Sequence, residues 1–420
     1  MWLLVAVVLA LVVAAIFFLG LGSKGDGSVV ARPTMPFLPP RFVVLAFAWL
    51  LNALATLRDR VLPPEMKIIE MVHAHWQTQA LHAVTRLGIP EAIPLTLPAG
   101  AKAWPSVESV AERVGAKDVD LLYRTLRLLA SVGVFREFPG RRFSHTPSSA
   151  LLRADHPATA KSTVSCWAQS HYNGWRGLHH QIATGEMAFM HMHGGKDLWQ
   201  YYNEDDNKEE LTSFQKMFDE ISRTMTGPLV WDFDWERVAK DVGRSKDLVV
   251  ADVGGGLGGV LAMVLEALPQ AKGILFDQST VIERAKSSER WTQGPLQERI
   301  AFESGSFLNR VPSADIYVMR MILHDWPDDV CVKILENVRR AMRPNGRLIV
   351  VDSLLAPEGQ YTRQVPVSVE LQDLHMAVML NGKERSEVQF REVFEAAGFR
   401  MLSVTHTRGI FHLVEGAVAQ

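Results

Sequence analysis

A glycine-rich turn separates a strand pattern from a helix pattern in the second half of this chain. The turn runs from Asp252 to Gly259, after the apolar run 248–251 and before the apolar run 260–268. Glycines let the backbone turn tightly and approach a ligand closely, and the N-terminus of the helix that follows faces that ligand. The turn therefore predicts a nucleotide-binding element. Its glycines also satisfy the dinucleotide pattern, so they leave the identity of the nucleotide open.

Strand and helix patterns alternate from residue 248 to the C-terminus, as expected for a parallel α/β sheet. The candidate strands are residues 248–252, 273–277, 300–303, 315–319, 347–353, 400–405 and 410–417. The candidate helices include residues 257–268, 279–286, 328–342 and 387–396. The short turn 407–409 joins the last two strands, which must therefore be antiparallel. A Rossmann-like sheet of this shape is typical of enzymes that use a methyl donor rather than a nicotinamide dinucleotide.

The region before the sheet predicts a small module of helices and one hairpin. Apolar residues recur at helical spacing over residues 67–87, a short helix is expected at 107–114, and Asp120 begins a third helix. Residues 134–138 and 142–145 flank a Pro-Gly turn and predict a hairpin. The combination predicts a winged-helix-like module.

Charge and cysteine content limit the partners of the chain. The predicted module carries the arginines Arg124, Arg127, Arg136, Arg141 and Arg142. The formal net charge of −2 argues against nucleic acid, so we interpret them as a solvated face of a dimerisation module. The two cysteines fit a reducing compartment, cannot form a disulfide framework and offer no metal cluster.

The N-terminus predicts a membrane segment. Residues from Trp2 to Leu19 are uninterruptedly apolar, and no charge occurs before Lys24. A cleaved signal peptide is the alternative, but the basic n-region is missing and the apolar run is longer than a usual h-region. Lys24, Arg32 and Arg41 follow the run, and the positive-inside rule then leaves the catalytic domain in the cytoplasm.

A second apolar stretch completes the expected domain organisation of the chain. Residues 42–57 form a second apolar stretch, which we interpret as an interface helix or one that lies on the membrane rather than as a second crossing. The expected organisation is an anchor at 1–22, a linker with an apolar helix at 23–60, a dimerisation domain at 61–155, a helical substrate lid at 156–235 and a catalytic domain at 236–420.

Four polar residues carry the predicted chemistry. Asp277 ends a strand pattern about two dozen residues beyond Asp252, where a carboxylate can bind ribose hydroxyls; a helix N-cap is the alternative. His324 follows another strand pattern and suits a general base, because an ordinary imidazole is largely neutral at pH 7. Either Asp352 or Glu384 could hold the Nδ1–H group of that imidazole.

These motifs together resemble those of the class I S-adenosylmethionine-dependent O-methyltransferases of the caffeate and hydroxyindole type. The segments that carry the resemblance are Asp252–Gly258, Phe276-Asp277, Gly305-Ser306-Phe307, Leu323-His324-Asp325-Trp326 and Gly382-Lys383-Glu384-Arg385, with Trp76–Ile89 and Leu122–Leu152 upstream. The resemblance spans roughly residues 65 to 418 and leaves the membrane segment outside.

The resemblance implies S-adenosylmethionine as cofactor, a small hydroxylated acceptor and a homodimer. It implies a catalytic group of His324, Asp352 and Glu384. The implied cofactor residues are Asp252, Gly254, Gly256, Asp277, Ser306, Phe307, Arg320 and Ser222. Arg320 would lie near the adenine, and Phe218 and Met376 would line the acceptor.

One residue departs from the family pattern. Where the family has an aspartate before the aromatic residue, this chain has Ser306, which can accept a hydrogen bond from an adenine amine but carries no charge. We expect a weaker adenine end of the cofactor site. Alternatives to methyl transfer are a same-fold enzyme that hydroxylates or decarboxylates, and a catalytically inactive membrane scaffold.

Overall fold

The protein is described from a computed structural model that covers residues 41–225, 227–244, 247–361 and 368–419. The predicted membrane run from Trp2 to Leu19 lies outside these residues. The chain forms two compact units, one of residues up to 173 with 199–220, and one of residues 174–198 with 221 onward. The region predicted as a single lid, 156–235, is thus divided between the two units.

Helices make up most of the described chain before the large sheet. In chain order they are α1 (Arg41–Val61), α2 (Pro64–Arg86), α3 (Ile89–Ala92), α4 (Val107–Val114), α5 (Val119–Ser131), α6 (Pro147–Ala150), α7 (Lys161–Trp167), α8 (Ser170–Trp175), α9 (Leu178–Thr184), α10 (Ala188–Met192), α11 (Leu198–Tyr202), α12 (Lys208–Met225), α13 (Gly227–Trp231) and α14 (Trp235–Val242). Strands β1 (Phe135–Phe138) and β2 (Arg142–His145) form the predicted antiparallel hairpin.

Local capping sets the helix bounds in the first unit. The Ser106 hydroxyl accepts the Ser109 N–H at 3.4 Å and begins α4, and Gly115 ends it in the left-handed region, so the predicted bounds are confirmed. Helix α5 begins earlier than expected, because Asp118 rather than Asp120 is the N-cap and accepts the Leu121 N–H at 2.9 Å.

The second unit is built on a seven-stranded sheet in the order β10-β11-β7-β6-β3-β4-β5. Its strands are β3 (Val249–Val253), β4 (Lys272–Asp277), β5 (Ile300–Ser304), β6 (Ile316–Arg320), β7 (Arg347–Asp352), β10 (Phe399–His406) and β11 (His412–Val418). A separate parallel pair joins β8 (Leu354–Leu355) and β9 (Arg385–Ser386). The helices of this region are α15 (Gly259–Ala267), α16 (Ser279–Lys286), α17 (Glu289–Thr292), α18 (Asp328–Ala341), α19 (Val369–Leu380) and α20 (Glu387–Ala396).

The pairing of these strands confirms the predicted Rossmann-like sheet. Strands β7, β6, β3, β4 and β5 are parallel, whereas β11 is antiparallel to both β7 and β10. The chain leaves β3 towards β4 and β5, then returns to β6 on the opposite side of β3. The carboxyl ends of β3 and β6 therefore meet at a topological switch point, where open α/β sheets bind their ligands.

Helix α19 is absent from the predicted helices. Its residues VELQDLHMAVML place apolar side chains on several faces, so the pattern has no single helical stripe. The Ser368 hydroxyl accepts the Leu371 N–H at 3.1 Å and begins the helix, and Asn381 ends it with a φ of +57°.

Helix α1 contains the second apolar stretch of the sequence. Among the described residues, Phe42–Val61 is the single helix that by length and composition is able to cross a membrane. Phe42 and Trp49 of this helix are exposed, with 72% and 55% of their solvent-accessible areas open.

Candidate active site

The glycine turn leads from β3 into α15 at the switch point. Gly254 has a φ of +70° and Gly256 a φ of +59°, a region that side chains other than glycine rarely adopt. A Cβ atom on Gly254 would lie 2.3 Å from Cδ1 of Ile322, whereas Gly256 faces open space. The turn therefore needs glycine at both positions, for packing at one and for backbone conformation at both.

Asp277 lies beside this turn, as predicted. Its Oδ2 atom accepts the Gly256 N–H at 2.9 Å, and its Oδ1 atom accepts the Gln278 N–H at 2.7 Å. Helix α16 begins after Gln278, so Asp277 is not its N-cap. Burial raises the pKa of Asp277, although the two N–H donors oppose this change.

Asp252 and Arg320 form a second charged group at the ends of β3 and β6. Burial raises the pKa of Asp252 to about 7, against the opposing charge of Arg320. Nη1 of Arg320 donates to the Ser222 hydroxyl at 2.8 Å, while Nε and Nη2 have no hydrogen-bond partner within the described part of the chain. Burial lowers the pKa of Arg320 to about 10. Arg320 and Ser306 were both expected near the adenine. Arg320 ends β6 and Ser306 follows β5, and strands β3 and β4 lie between β6 and β5 in the sheet.

Ser306 and Phe307 follow β5. The Ser306 hydroxyl accepts the Leu308 N–H at 3.3 Å, a bond within its own loop. The ring of Phe307 meets that of Trp326 edge to face, with centroids 6.1 Å apart, and its carbonyl accepts from Nδ2 of Asn337 at 2.8 Å. Packing and hydrogen bonds therefore fix this loop.

His324 lies in a short 3-10 turn after β6 and is almost completely buried. Its Nδ1 atom lies 2.7 Å from Oε1 of Glu384, and its Nε2 atom lies 3.3 Å from Oδ1 of Asp325. Because a carboxylate accepts, the imidazole carries a proton on Nδ1. Of the two acids proposed to hold that proton, Glu384 makes the hydrogen bond. Both carboxylate oxygens of the buried Asp352 are without a hydrogen-bond partner among the described residues.

The charges around His324 change its protonation. Burial lowers the pKa of His324, but the carboxylates of Glu384 and Asp325 more than offset burial, and the pKa is raised above its usual 6.5. The expectation of a largely neutral imidazole at pH 7 is therefore wrong for the protein without ligands. Burial raises the pKa of Asp352 to about 7 and that of Asp325 to about 6.

The segment Gly382–Arg385 holds Glu384 against the histidine. The Lys383 N–H donates to the His324 carbonyl at 2.9 Å. A Cβ atom on Gly382 would lie 2.0 Å from that same carbonyl oxygen, so only glycine allows the approach. Arg385 is fully buried and donates to the carbonyls of Leu323 and Trp326, each at 2.8 Å. The loop is therefore fastened to the turn on both sides of Glu384.

Sequence reasoning assigned no role to Asp325, His375 or Trp175. Nε1 of Trp175 donates to Nδ1 of His375 at 3.0 Å. Burial, together with the charge of His324, lowers the pKa of His375 to about 4. The neutral ring therefore carries its proton on Nε2. His375 lies on α19, and because the residues of this helix show no clear helical pattern, nothing in them indicates that His375 comes near His324.

The two residues proposed to line the acceptor belong to different units. Met376 is buried on α19 in the second unit. Phe218 lies on α12 in the first unit, is 38% exposed there, and meets Phe214 edge to face with centroids 4.9 Å apart. Their roles as acceptor contacts stay predictions.

Family models match most of the chain. Residues 175–400 match the O-methyltransferase domain, and residues 69–155 match the O-methyltransferase dimerisation domain. The first range contains the five parallel strands of the sheet and the His324 turn, and the second contains most of the helix–hairpin module.

Known proteins of similar sequence agree with the family models. A phenazine O-methyltransferase of Lysobacter antibioticus is 32% identical over 85% of this chain and 97% of its own length. A mitomycin biosynthesis 6-O-methyltransferase of Streptomyces lavendulae is 33% identical over 80% of this chain and 89% of its own. The solved structure of the mitomycin 7-O-methyltransferase MmcR superposes with a TM-score of 0.72 at 30% identity, over 84% of this chain and 98% of that one. The chain therefore belongs to the O-methyltransferase family with an O-methyltransferase dimerisation domain, and it is an S-adenosylmethionine-dependent O-methyltransferase.

Proposed function

We propose that the enzyme methylates a hydroxyl group of a small planar aromatic acceptor and that His324 removes the hydroxyl proton. The observation that carries the proposal is the buried 2.7 Å contact between Nδ1 of His324 and Oε1 of Glu384 at the switch point of the sheet. With Nδ1–H held by the glutamate, the neutral imidazole presents Nε2 as its proton acceptor. A phenol with an ordinary pKa near 10 needs such a base at neutral pH.

The acids around His324 have separate roles in this proposal. Glu384 fixes the tautomer and orientation of the ring and stabilises the imidazolium that forms when the hydroxyl proton moves to Nε2. Asp352 adds a buried carboxylate whose field favours the same imidazolium. Asp325 lies 3.3 Å from Nε2, so an acceptor hydroxyl has to replace this contact before proton transfer.

The residues of the glycine turn fit S-adenosylmethionine, which supplies an electrophilic methyl group on a sulfonium sulfur. We propose that Asp252, Gly254 and Gly256 hold its methionine end and that Asp277 binds the ribose. The fit is supported by the close packing at Gly254 and by the buried, unpartnered Oδ2 of Asp252 among the described residues. Two acids and two glycines at one sheet edge suit a ligand with ammonium and ribose hydroxyl donors.

Four further residues complete the proposed cofactor site. Ser306 and Phe307 would contact the adenine after β5. Arg320 ends β6 near Asp252 and donates to the hydroxyl of Ser222 on α12, so we propose that this pair orders the Asp252 side of the site. Burial lowers the pKa of this guanidinium, and the charge of Asp252 opposes that change.

Relatives support an aromatic acceptor. Similar proteins are named as a phenazine O-methyltransferase, a mitomycin biosynthesis 6-O-methyltransferase and a 3-amino-4-hydroxybenzoate 4-O-methyltransferase. Phe218 and Met376 are each of a residue type that packs on such rings, one as a flat aromatic side chain and the other as a flexible thioether. The test is incubation of the purified enzyme with methyl-labelled S-adenosylmethionine and a panel of phenols. Label in an ether product supports the proposal; a product that lacks the added methyl mass contradicts it.

We also propose that the enzyme is a homodimer tethered to the membrane by residues 2–19, with the catalytic unit in the cytoplasm. The dimerisation-domain match at residues 69–155 supports the dimer, and the length and flanking charges of the apolar run support the tether. The full chain should sediment with membranes after carbonate washing. Each arginine at the centre of a membrane-spanning helix raises the free energy of insertion by about 2.5 kcal/mol or more. The double variant Leu9→Arg and Val13→Arg should therefore move the protein to the soluble fraction. Unchanged sedimentation of the variant would contradict the tether.

A further inference from the structure

Three potential metal ligands converge on one helical hairpin of the second unit. His180 lies on α9, Glu186 lies in the connection, and His191 lies on α10. Nε2 of His180 is 2.6 Å from Oε2 of Glu186, and Nδ1 of His191 is 3.9 Å from the same oxygen. One ligand atom from each residue lies within 4.8 Å of the other two.

The two imidazole rings of the cluster lie against each other. Their rings stack with centroids 3.6 Å apart and planes inclined by 11°. A metal ion binds an imidazole nitrogen in the plane of the ring, so one of the two rings has to turn out of the stack before both can bind a single ion.

Hydrogen bonds fix the connection that carries Glu186. Gly185 ends α9 with a φ of +79°, and its N–H donates to the Gln181 carbonyl at 2.8 Å. The Glu186 N–H donates to the Thr184 hydroxyl at 3.1 Å, and the Ala188 N–H donates to Oε1 of Gln181 at 3.0 Å. The backbone around the three ligands is thus ordered before any ion binds, which lowers the entropic cost of binding.

We propose that His180, Glu186 and His191 form a binding site for a divalent transition metal ion of the zinc type. Two imidazoles and one carboxylate are the ligands that such ions accept, and the partial exposure of all three side chains leaves room for water to complete the coordination. The proposal is independent of methyl transfer and uses none of the residues assigned to it.

The hairpin of α9 and α10 contacts helix α19 of the second unit. Nε2 of Gln181 donates to the Ala377 carbonyl of α19 at 3.1 Å, and Trp175 donates to His375 of the same helix. An ion that joins α9 to α10 would therefore also fasten the hairpin that packs on α19. Zinc should raise the thermal midpoint of the protein.

The test is calorimetric titration of the metal-free full-length protein with Zn²⁺, with Co²⁺ absorption as a second readout of coordination. The wild type should bind one ion more tightly than the His191→Ala and Glu186→Gln variants, by tenfold or more in Kd. His179→Ala is the matched control, because His179 is an exposed histidine next to His180 and is not in the cluster, and it should bind like the wild type.

The same titrations can overturn the proposal. Zinc affinity and Co²⁺ spectra that are equal in the wild type and His191→Ala would contradict it, and so would a wild type that binds no ion. Because His191 and Glu186 are largely exposed, both variants should fold, and their circular dichroism and unfolding midpoints without metal check this.

Discussion

Nδ1 of His324 and Oε1 of Glu384 lie 2.7 Å apart in a contact that joins residues 60 positions apart and that is shielded from solvent. Glu384→Gln keeps an acceptor oxygen but removes the charge. We expect turnover to fall by about 100-fold or more, because a carboxylate that stabilises the imidazolium is lost. The pKa of His324 should also fall, so the remaining activity should begin at a lower pH. Rate–pH profiles of the two proteins at saturating substrate check both effects; an unshifted profile would contradict the role of Glu384.

The pH dependence of the wild type follows from the raised pKa of His324. The base acts only in its neutral form, and the surrounding carboxylates favour the protonated form. Turnover should therefore increase as pH rises above neutrality through the raised pKa and should decrease towards pH 7 and below. Measurements from about pH 6 to about pH 10 test this. The His324→Ala variant serves as the control for ionisation of the acceptor itself, and a wild-type plateau already complete below pH 7 would be incompatible with the assignment.

Ser306 should limit affinity for the cofactor. Its hydroxyl accepts a hydrogen bond from its own loop at 3.3 Å and carries no charge for an adenine amine. Ser306→Asp should tighten S-adenosylmethionine binding several-fold in calorimetry, because hydrogen bonds to an ionised acceptor are stronger. Ser306→Asn is the neutral control of similar size and should bind more weakly than the aspartate variant. Equal or weaker binding by Ser306→Asp argues against an adenine contact at this position.

Alanine variants of two glycines in the turn distinguish the effect of packing from that of backbone strain. Both have positive φ angles, but a Cβ atom would clash with Ile322 at Gly254 and would meet open space at Gly256. Gly256→Ala should lower the free energy of unfolding by about 1–2 kcal/mol, the cost of a left-handed alanine. Gly254→Ala should cost more, by about 1–3 kcal/mol for overpacking. Denaturant unfolding without cofactor measures the free energy of unfolding of both variants. Equal decreases would show that the close approach of Ile322 to Gly254 does not affect stability.

Regular periodicity and capping explain why so much of the fold is predictable from sequence. Helix α4 lies between the Ser106 cap and Gly115, and the strands of the sheet are apolar runs bounded by polar turns. Helix α19 was missed because its apolar residues cover several faces. Because this helix was not predicted, His375 was not expected in the site.

The sequence motifs pointed to the glycine turn, Asp277, His324 and Glu384, and their functional roles stay predictions. The protonation state of His324 could not be predicted from sequence. The pKa of His324 depends on Asp325, Asp352 and Glu384, which come from three separate segments and act through burial and distance. The choice between Asp352 and Glu384 as hydrogen-bond partner likewise needs coordinates, because both acids follow the histidine in sequence with nothing to rank them.

The most direct measurement of the proposed mechanism compares His324→Ala with the wild type in two assays on the same preparation. Calorimetry should give equal S-adenosylmethionine affinity, because His324 is not among the residues proposed to hold the cofactor. Methyl transfer from labelled S-adenosylmethionine to the phenol that the wild type accepts best should be about 100- to 10,000-fold slower, the usual contribution of a general base. Full methyl transfer by His324→Ala, with cofactor affinity intact, would contradict the assignment of His324 as the base.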